Sequence, residues 1–208
     1  MSTDAVRPGR PSGDMASDST ISRASEPAGT GSEARSAQDP WIGAGLLALR
    51  AAVGTTFLLH GIQNVSGAWT GWDAAAMSEY LSPKGFGGAA TAVSWFLALA
   101  QVTAGLMILL GLFTAVGAVV VVVPMATSAF TKLSVGFFMP GGFEWELAVM
   151  AGGLTLLLAG AGQYSLDHLK IPERTVARAR LVAVALTVVI TLAMIVVTWG
   201  APPPQVPQ

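Results

Sequence analysis

In a chain of 208 residues, 52% apolar and 11% charged, few side chains can do chemistry, and they fall into two groups. Arg50 and Gln101 lie inside long apolar stretches, while His60, Gln63, Asn64, Lys132, Glu144 and Glu146 stand at the ends of such stretches. A charge at membrane depth costs at least about 2.5–3.5 kcal/mol, so it faces a bundle interior and has a partner. Arg50 is about 13 Å down a helix that starts at Trp41, and Gln101 about 15 Å from the end of the next apolar stretch at Gly111. The matching depths predict an intramembrane hydrogen bond between Arg50 and Gln101, with snorkelling of Arg50 to head groups as the alternative. In the second group a carboxylate, an ammonium and an imidazole at one level make a candidate proton-handling or quinone-head-group site. His60 supplies the imidazole and is its candidate switch. The alternative is a set of interfacial charges at helix ends. Glu144 shares a helical stripe with Ala148, Ala151, Thr155 and Gly162, and Glu146 shares one with Met150, Gly153 and Gly160. Both stripes hold small residues, so either glutamate can be the one facing the bundle.

Other chemistries are excluded by residue type. Without cysteine there is no disulfide, thiolate nucleophile or Cys-ligated cluster. The only two histidines, His60 and His168, fall at opposite ends of the apolar stretches, which rules out bis-His haem. No dinucleotide fingerprint, P-loop or metal-ligand spacing occurs, and no nucleophile–base pair can be assembled. Catalytic residues and a metal site are therefore not expected, nor is a covalently bound cofactor. A net charge of −1 without a basic run argues against nucleic acid as a partner.

The elements that must position these groups are membrane helices. Residues 1–40 hold four Arg and six Asp/Glu, which leaves only thirteen Lys, Arg, Asp and Glu for the other 168 positions. The mean hydropathy is +0.60. With about 20 apolar residues needed per crossing, five spans are expected at 41–63, 89–111, 114–133, 144–163 and 181–199. Spans two and three are joined by Gly111–Thr114, a tight antiparallel hairpin. Pro124 should kink span three, with Thr127, Ser128 and Thr131 available for the freed carbonyl. Gly43, Arg50, Gly54 and Gly61 fall on one stripe of span one, which invites close approach by another helix.

Residues 1–40 have no aromatic residue or apolar run and read as a disordered polar tail without a secretory signal. Lys170, Arg174, Arg178 and Arg180 crowd the connection 170–180, and the positive-inside bias places it and the N-terminus in the cytoplasm. The Pro-rich 201–208 then ends outside. IPERTVARARL suits a helix lying on anionic head groups. The loop from Val65 to Gly88 also lies outside, carries Trp69, Trp72, Tyr80 and Phe86, and has Asp73 placed to cap a short helix ended by Ser82-Pro83.

Three segments together resemble the DoxX family of small bacterial membrane proteins: LRAAVGTTFLLHGIQNVSG, LAQVTAGLMILLGLFT and FMPGGFEWELAVMAGGLTLLLAGAGQYSLDHL. The resemblance covers roughly residues 43–169. It implies an all-α fold, a four-helix transmembrane bundle over 41–169, to which this chain adds a fifth helix at 181–200. It also implies a plasma-membrane location, association with soluble or membrane oxidoreductases in oxidative-stress or sulfur metabolism, and quinone as the small-molecule candidate. Arg50, His60, Glu144 and Asp167 match the family's polar pattern. Gln101 stands where a Glu is usual, which removes a buried carboxylate. Asp167 is expected to cap the end of span four or the start of the cytoplasmic segment.

Three functions remain open on these grounds. The first is a membrane subunit or anchor of a redox assembly with no redox cofactor of its own. The second is a small transporter or channel with a pathway through Arg50 and Gln101, and the third a non-catalytic scaffold. The lipid bilayer is the expected partner in each, and a homo-oligomer is compatible with all three.

Overall fold

A computed structural model describes residues 39–69, 71–138 and 140–200. The tails expected over 1–38 and 201–208 lie outside the described residues, as do the side chains of Lys170 and Glu173. Among the described residues the fold is all-helical, with α1 (Pro40–Ser66), α2 (Ala74–Leu81), α3 (Ala90–Leu110), α4 (Thr114–Thr131), α5 (Glu144–Ala159), α6 (Leu166–Lys170) and α7 (Glu173–Thr198).

Local chemistry sets most of the boundaries. The Asp39 carboxylate accepts from Trp41 N at 2.9 Å and Pro40 occupies the first turn of α1, where its missing N–H costs nothing. Gly67, at φ 68°, ends that helix by donating to Gln63 O. Asp73 caps α2 by accepting from Ala75 N and Ala76 N, as its position before an Ala run predicts. The hairpin between α3 and α4 forms where expected, and Gly111 turns it at φ 65°.

Two expected spans change length. The fourth, placed at 144–163, is the 16-residue α5, about 24 Å long at 1.5 Å per residue. It breaks at Gly160, whose φ of 87° suits glycine. The connection expected at 170–180 as a separate surface segment is instead the opening of α7, a continuous helix of 26 residues. Pro172 starts that helix and does not interrupt it. By length and composition, four of the described helices can cross a membrane: α1, α3 with the 3-10 turn before it, α4, and most of α7. Thr127, Ser128 and Thr131 do not serve the carbonyl freed by Pro124, which belongs to Val120. They bond Val123 O, Glu146 and Ser128 O respectively.

α1 and α3 are antiparallel and almost in backbone contact. A methyl group at Gly61 would come within 2.5 Å of Val102 N, and one at Gly105 within 2.5 Å of Leu58 N. Without a water-driven hydrophobic term between helices in lipid, such close backbone packing is what holds a pair together. Gly105→Ala should therefore force α1 and α3 apart and cost about 1–3 kcal/mol, the usual penalty for overpacking. Thermal unfolding in mild detergent checks it, with Gly45→Ala, where nothing lies within 4 Å, as the neutral control.

α5 runs antiparallel to α4, with Gly153 against Val121 and Val122 and Glu146 against Ser128. α7 runs parallel to α4; its Trp199 meets Phe130 at one end, and Val176 faces Thr114 at the other. The core is built on Leu46, Phe57, Ile108, Val121, Leu156 and Leu157. Leu181, Val189, Leu192 and Val196 of α7 point outward. Membrane-spanning helices with such faces are in contact with lipid.

Candidate functional site

At one end of the bundle the α3–α4 turn, the chain after α5 and the middle of α1 converge on Arg50. The last carbonyls of a helix have no intrahelical donor, and Arg50 supplies them. Its Nε donates to Ile108 O at 2.9 Å, one terminal nitrogen to Leu109 O at 2.7 Å, and the other to Ala161 O at 3.2 Å and Tyr164 O at 2.7 Å. The side chain is 2% exposed. Gly111 leaves room for it, since a methyl group there would lie 2.5 Å from the guanidinium.

The predicted Arg50–Gln101 hydrogen bond is not formed. Arg50 lies against Gly111, ten residues or about 15 Å along α3 from Gln101. The two depths match only if Trp41 and Gly111 are level, but Arg50 is the residue level with Gly111, so α1 runs about ten residues beyond the end of α3. Gln101 instead accepts from Asn64 Nδ2 at 2.7 Å, so two residues assigned to different groups pair inside the α1–α3 contact.

Asp167 answers Arg50 from the opposite side of the same turn. Its Oδ1 accepts from Phe113 N at 2.7 Å and its Oδ2 from Thr114 N at 2.9 Å, while its own N–H donates to Gly111 O at 2.8 Å. The expected local cap is thus a cap on α4, made across more than 50 positions. The local cap is Ser165, which accepts from His168 N. A cation on the carbonyl ends of α3 and the chain after α5, and an anion on the amide end of α4, match the helix dipoles. This arrangement holds helices together.

The opposite end carries the group with chemical capacity. Of the two glutamates, Glu146 faces the bundle, 5% exposed, and Glu144 is exposed. Glu146 Oε1 is ion-paired with Lys132 and accepts from Ser128 Oγ at 3.0 Å. Its Oε2 is buried and has no hydrogen-bond partner among the described residues. Tyr80 of α2 and Lys84 fold over this pair, with the Lys84 ammonium 4.6 Å from the centre of the Tyr80 ring. Lys84 is only 4% exposed. Burial holds its ammonium below the usual lysine range, and the charge of Lys132 pushes the same way. Burial raises the Tyr80 phenol, a hydrogen bond with Thr131 opposes that rise, and the Glu146 charge adds to it. Gly85, next to Lys84, packs directly on Val197 O at the end of α7.

Of the outer cluster, Lys132 and Glu146 are brought together. His60 is exposed, Gln63 is half-buried with its carbonyl closing α1, and Asn64 is turned toward Gln101. Residue reading missed Ser128, Tyr80 and Lys84. The first stands four positions before Lys132 and so shares its helical face, a signal open to inspection. The other two are delivered by a loop that folds back over the bundle, which no periodicity reports. Among the described residues no group of three His, Asp or Glu side chains could hold a metal ion. A carboxylate with one oxygen neutralised and the other unsatisfied can accept a hydroxyl or hold a proton in a low-dielectric setting.

Fold and site together define a small multi-pass α-helical membrane protein, stapled by charge at one end and carrying a buried ion pair at the other. The model of the DoxX family matches residues 45–133 of the chain. The matched segment contains Arg50, Gln101, Ser128 and Lys132, and ends before Glu146 and Asp167. Neither a curated protein nor a solved structure matches the chain.

Proposed function

We propose that this protein is a DoxX-type membrane subunit of a redox assembly in the bacterial cell membrane, and that it receives a quinol head group at Glu146. The observation that carries the reading is the buried Oε2 of Glu146, which has no donor among the described residues and lies beside an oxygen already held by Lys132 and Ser128. A quinol hydroxyl is a donor of that kind, and it reaches such a site from within the lipid. In this reading Glu146 accepts a hydrogen bond from one quinol hydroxyl and so binds and orients the head group, while the partner oxidoreductase takes the two electrons and the two protons leave to water as quinone forms. Arg174, Arg178 and Arg180 at the Arg50 end support placing that end in the cytoplasm, with Glu146 toward the outside.

A transport pathway through Arg50 and Gln101 has less support, because four of the five N–H donors of the first are engaged by carbonyls and the carboxamide oxygen of the second is taken by Asn64. The test is titration of the detergent-purified full chain with a short-tailed benzoquinol, followed by tryptophan fluorescence. Glu146→Gln should weaken binding about ten-fold, the worth of one hydrogen bond to a charged group. Equal affinity in wild type and variant, or no saturable binding at all, would refute the assignment.

A further inference from the structure

We infer that the cleft between the end of α5, α6 and the first turns of α7 is a site for a phosphate group, supplied by an anionic lipid of the adjoining leaflet. It lies at the end of the bundle opposite Glu146 and does not depend on the quinol reading. The cleft encloses about 340 Å³ and is lined by Gly160, Gly162, Ser165, His168, Val176 and Arg180, among others. That size falls within the range of small-molecule sites, about 300–1,000 Å³.

The cleft holds a cation for a structural reason. Asp167 also borders it, but its oxygens are turned to Phe113 N and Thr114 N and its charge is set against Arg50. Among the described lining residues, Arg180 supplies a guanidinium. It is seated by Gly160: a methyl group there would lie 2.7 Å from its terminal nitrogen, and the φ of 87° disfavours any other residue. One guanidinium N–H donates to Leu158 O at 3.2 Å, which fixes the fork and leaves its other donors for an oxyanion. The bound carbonyl is one of the last of α5, so Arg180 also stays near the plane where that helix ends.

The surroundings select a lipid source. Tyr164, Leu169 and Leu181 are exposed and each is next in sequence to a cleft-lining residue, Ser165, His168 and Arg180 respectively, so apolar surface for acyl chains lies close to the head-group site. Arg174 and Arg178 add positive charge along α7, and basic side chains beside a membrane attract anionic lipid. A phosphodiester offers Arg180 the paired acceptors that its planar fork matches.

Native mass spectrometry of the full chain, with phosphatidylglycerol against phosphatidylcholine, tests the proposal. Wild type should retain phosphatidylglycerol selectively, and Arg180→Ala should lower that retention about ten-fold, as expected for one hydrogen bond to a charged group. Val176→Phe keeps every charge and fills the cleft, and it should also release the lipid while the thermal transition persists. Arg178→Ala, which removes an exposed charge outside the cleft lining, should leave retention unchanged. Protection by inorganic phosphate, lost on Arg180→Ala, would keep the phosphate site and transfer it to a soluble anion. Retention insensitive to Arg180→Ala, or an equal loss with Arg178→Ala, would overturn the site in favour of diffuse attraction.

Discussion

Arg50→Ala should destabilise the protein by about 3–5 kcal/mol, the range for removing one side of a buried charged network. Four carbonyls, those of Ile108, Leu109, Ala161 and Tyr164, would lose their side-chain donor inside the bundle; Ile108 O keeps Gly111 N at 3.1 Å, and each group left unsatisfied costs about 1–3 kcal/mol. Asp167 would keep its amide partners but lose the opposing charge of Arg50. Against a total stability of about 5–15 kcal/mol, the variant should be recovered poorly from the membrane and melt well below wild type in mild detergent. Arg50→Lys should recover only part of the loss, because a point ammonium with three donors cannot span carbonyls from two segments as a planar fork does. A folded Arg50→Ala with an unchanged melting curve would show that the staple does not hold the bundle. If it also abolished a flux in liposomes, the pathway reading would replace the structural one.

The second large effect is expected at the opposite end. Lys132→Met leaves the buried Glu146 carboxylate without its cation and should cost about 3 kcal/mol, the low end for a broken buried pair because Lys132 keeps 20% of its side-chain surface. The double change Lys132→Met with Glu146→Leu removes both charges and should return near wild-type stability or exceed it, since replacing a buried pair by apolar groups is neutral or favourable by about 1–4 kcal/mol. A double-mutant cycle on thermal or denaturant unfolding reads this coupling. The same double variant separates fold from function. It should be stable and fail to bind quinol, whereas a purely structural ion pair would leave quinol binding as it was. Additive single changes, with no recovery in the double variant, would mean that the two side chains do not form the pair.

How much of this was legible depends on whether a property survives sliding one helix along another. The membrane class, the helical content, the α3–α4 hairpin at Gly111–Phe113, the Asp73 cap and the glycine face of α1 toward α3 are all readable from residue order. They depend on local chemistry or on the angle around a single helix. The partner of Arg50 was not readable. Periodicity says which face of α1 meets α3, but a shift of ten residues along the axis, about 15 Å, leaves the faces nearly unchanged and exchanges Gln101 for Gly111. The ends of helices are equally hidden, because the orphan carbonyls that attract a guanidinium exist only once the turns have formed. The choice of Glu146 over Glu144 rested on how α5 rotates against α4, with small residues on both candidate stripes. The order of residues is enough to make this chain a set of membrane helices with a few buried charges. Which charges meet is settled by packing, because a contact between distant segments depends on axial register and on loops that fold back, and neither leaves a period in the chain.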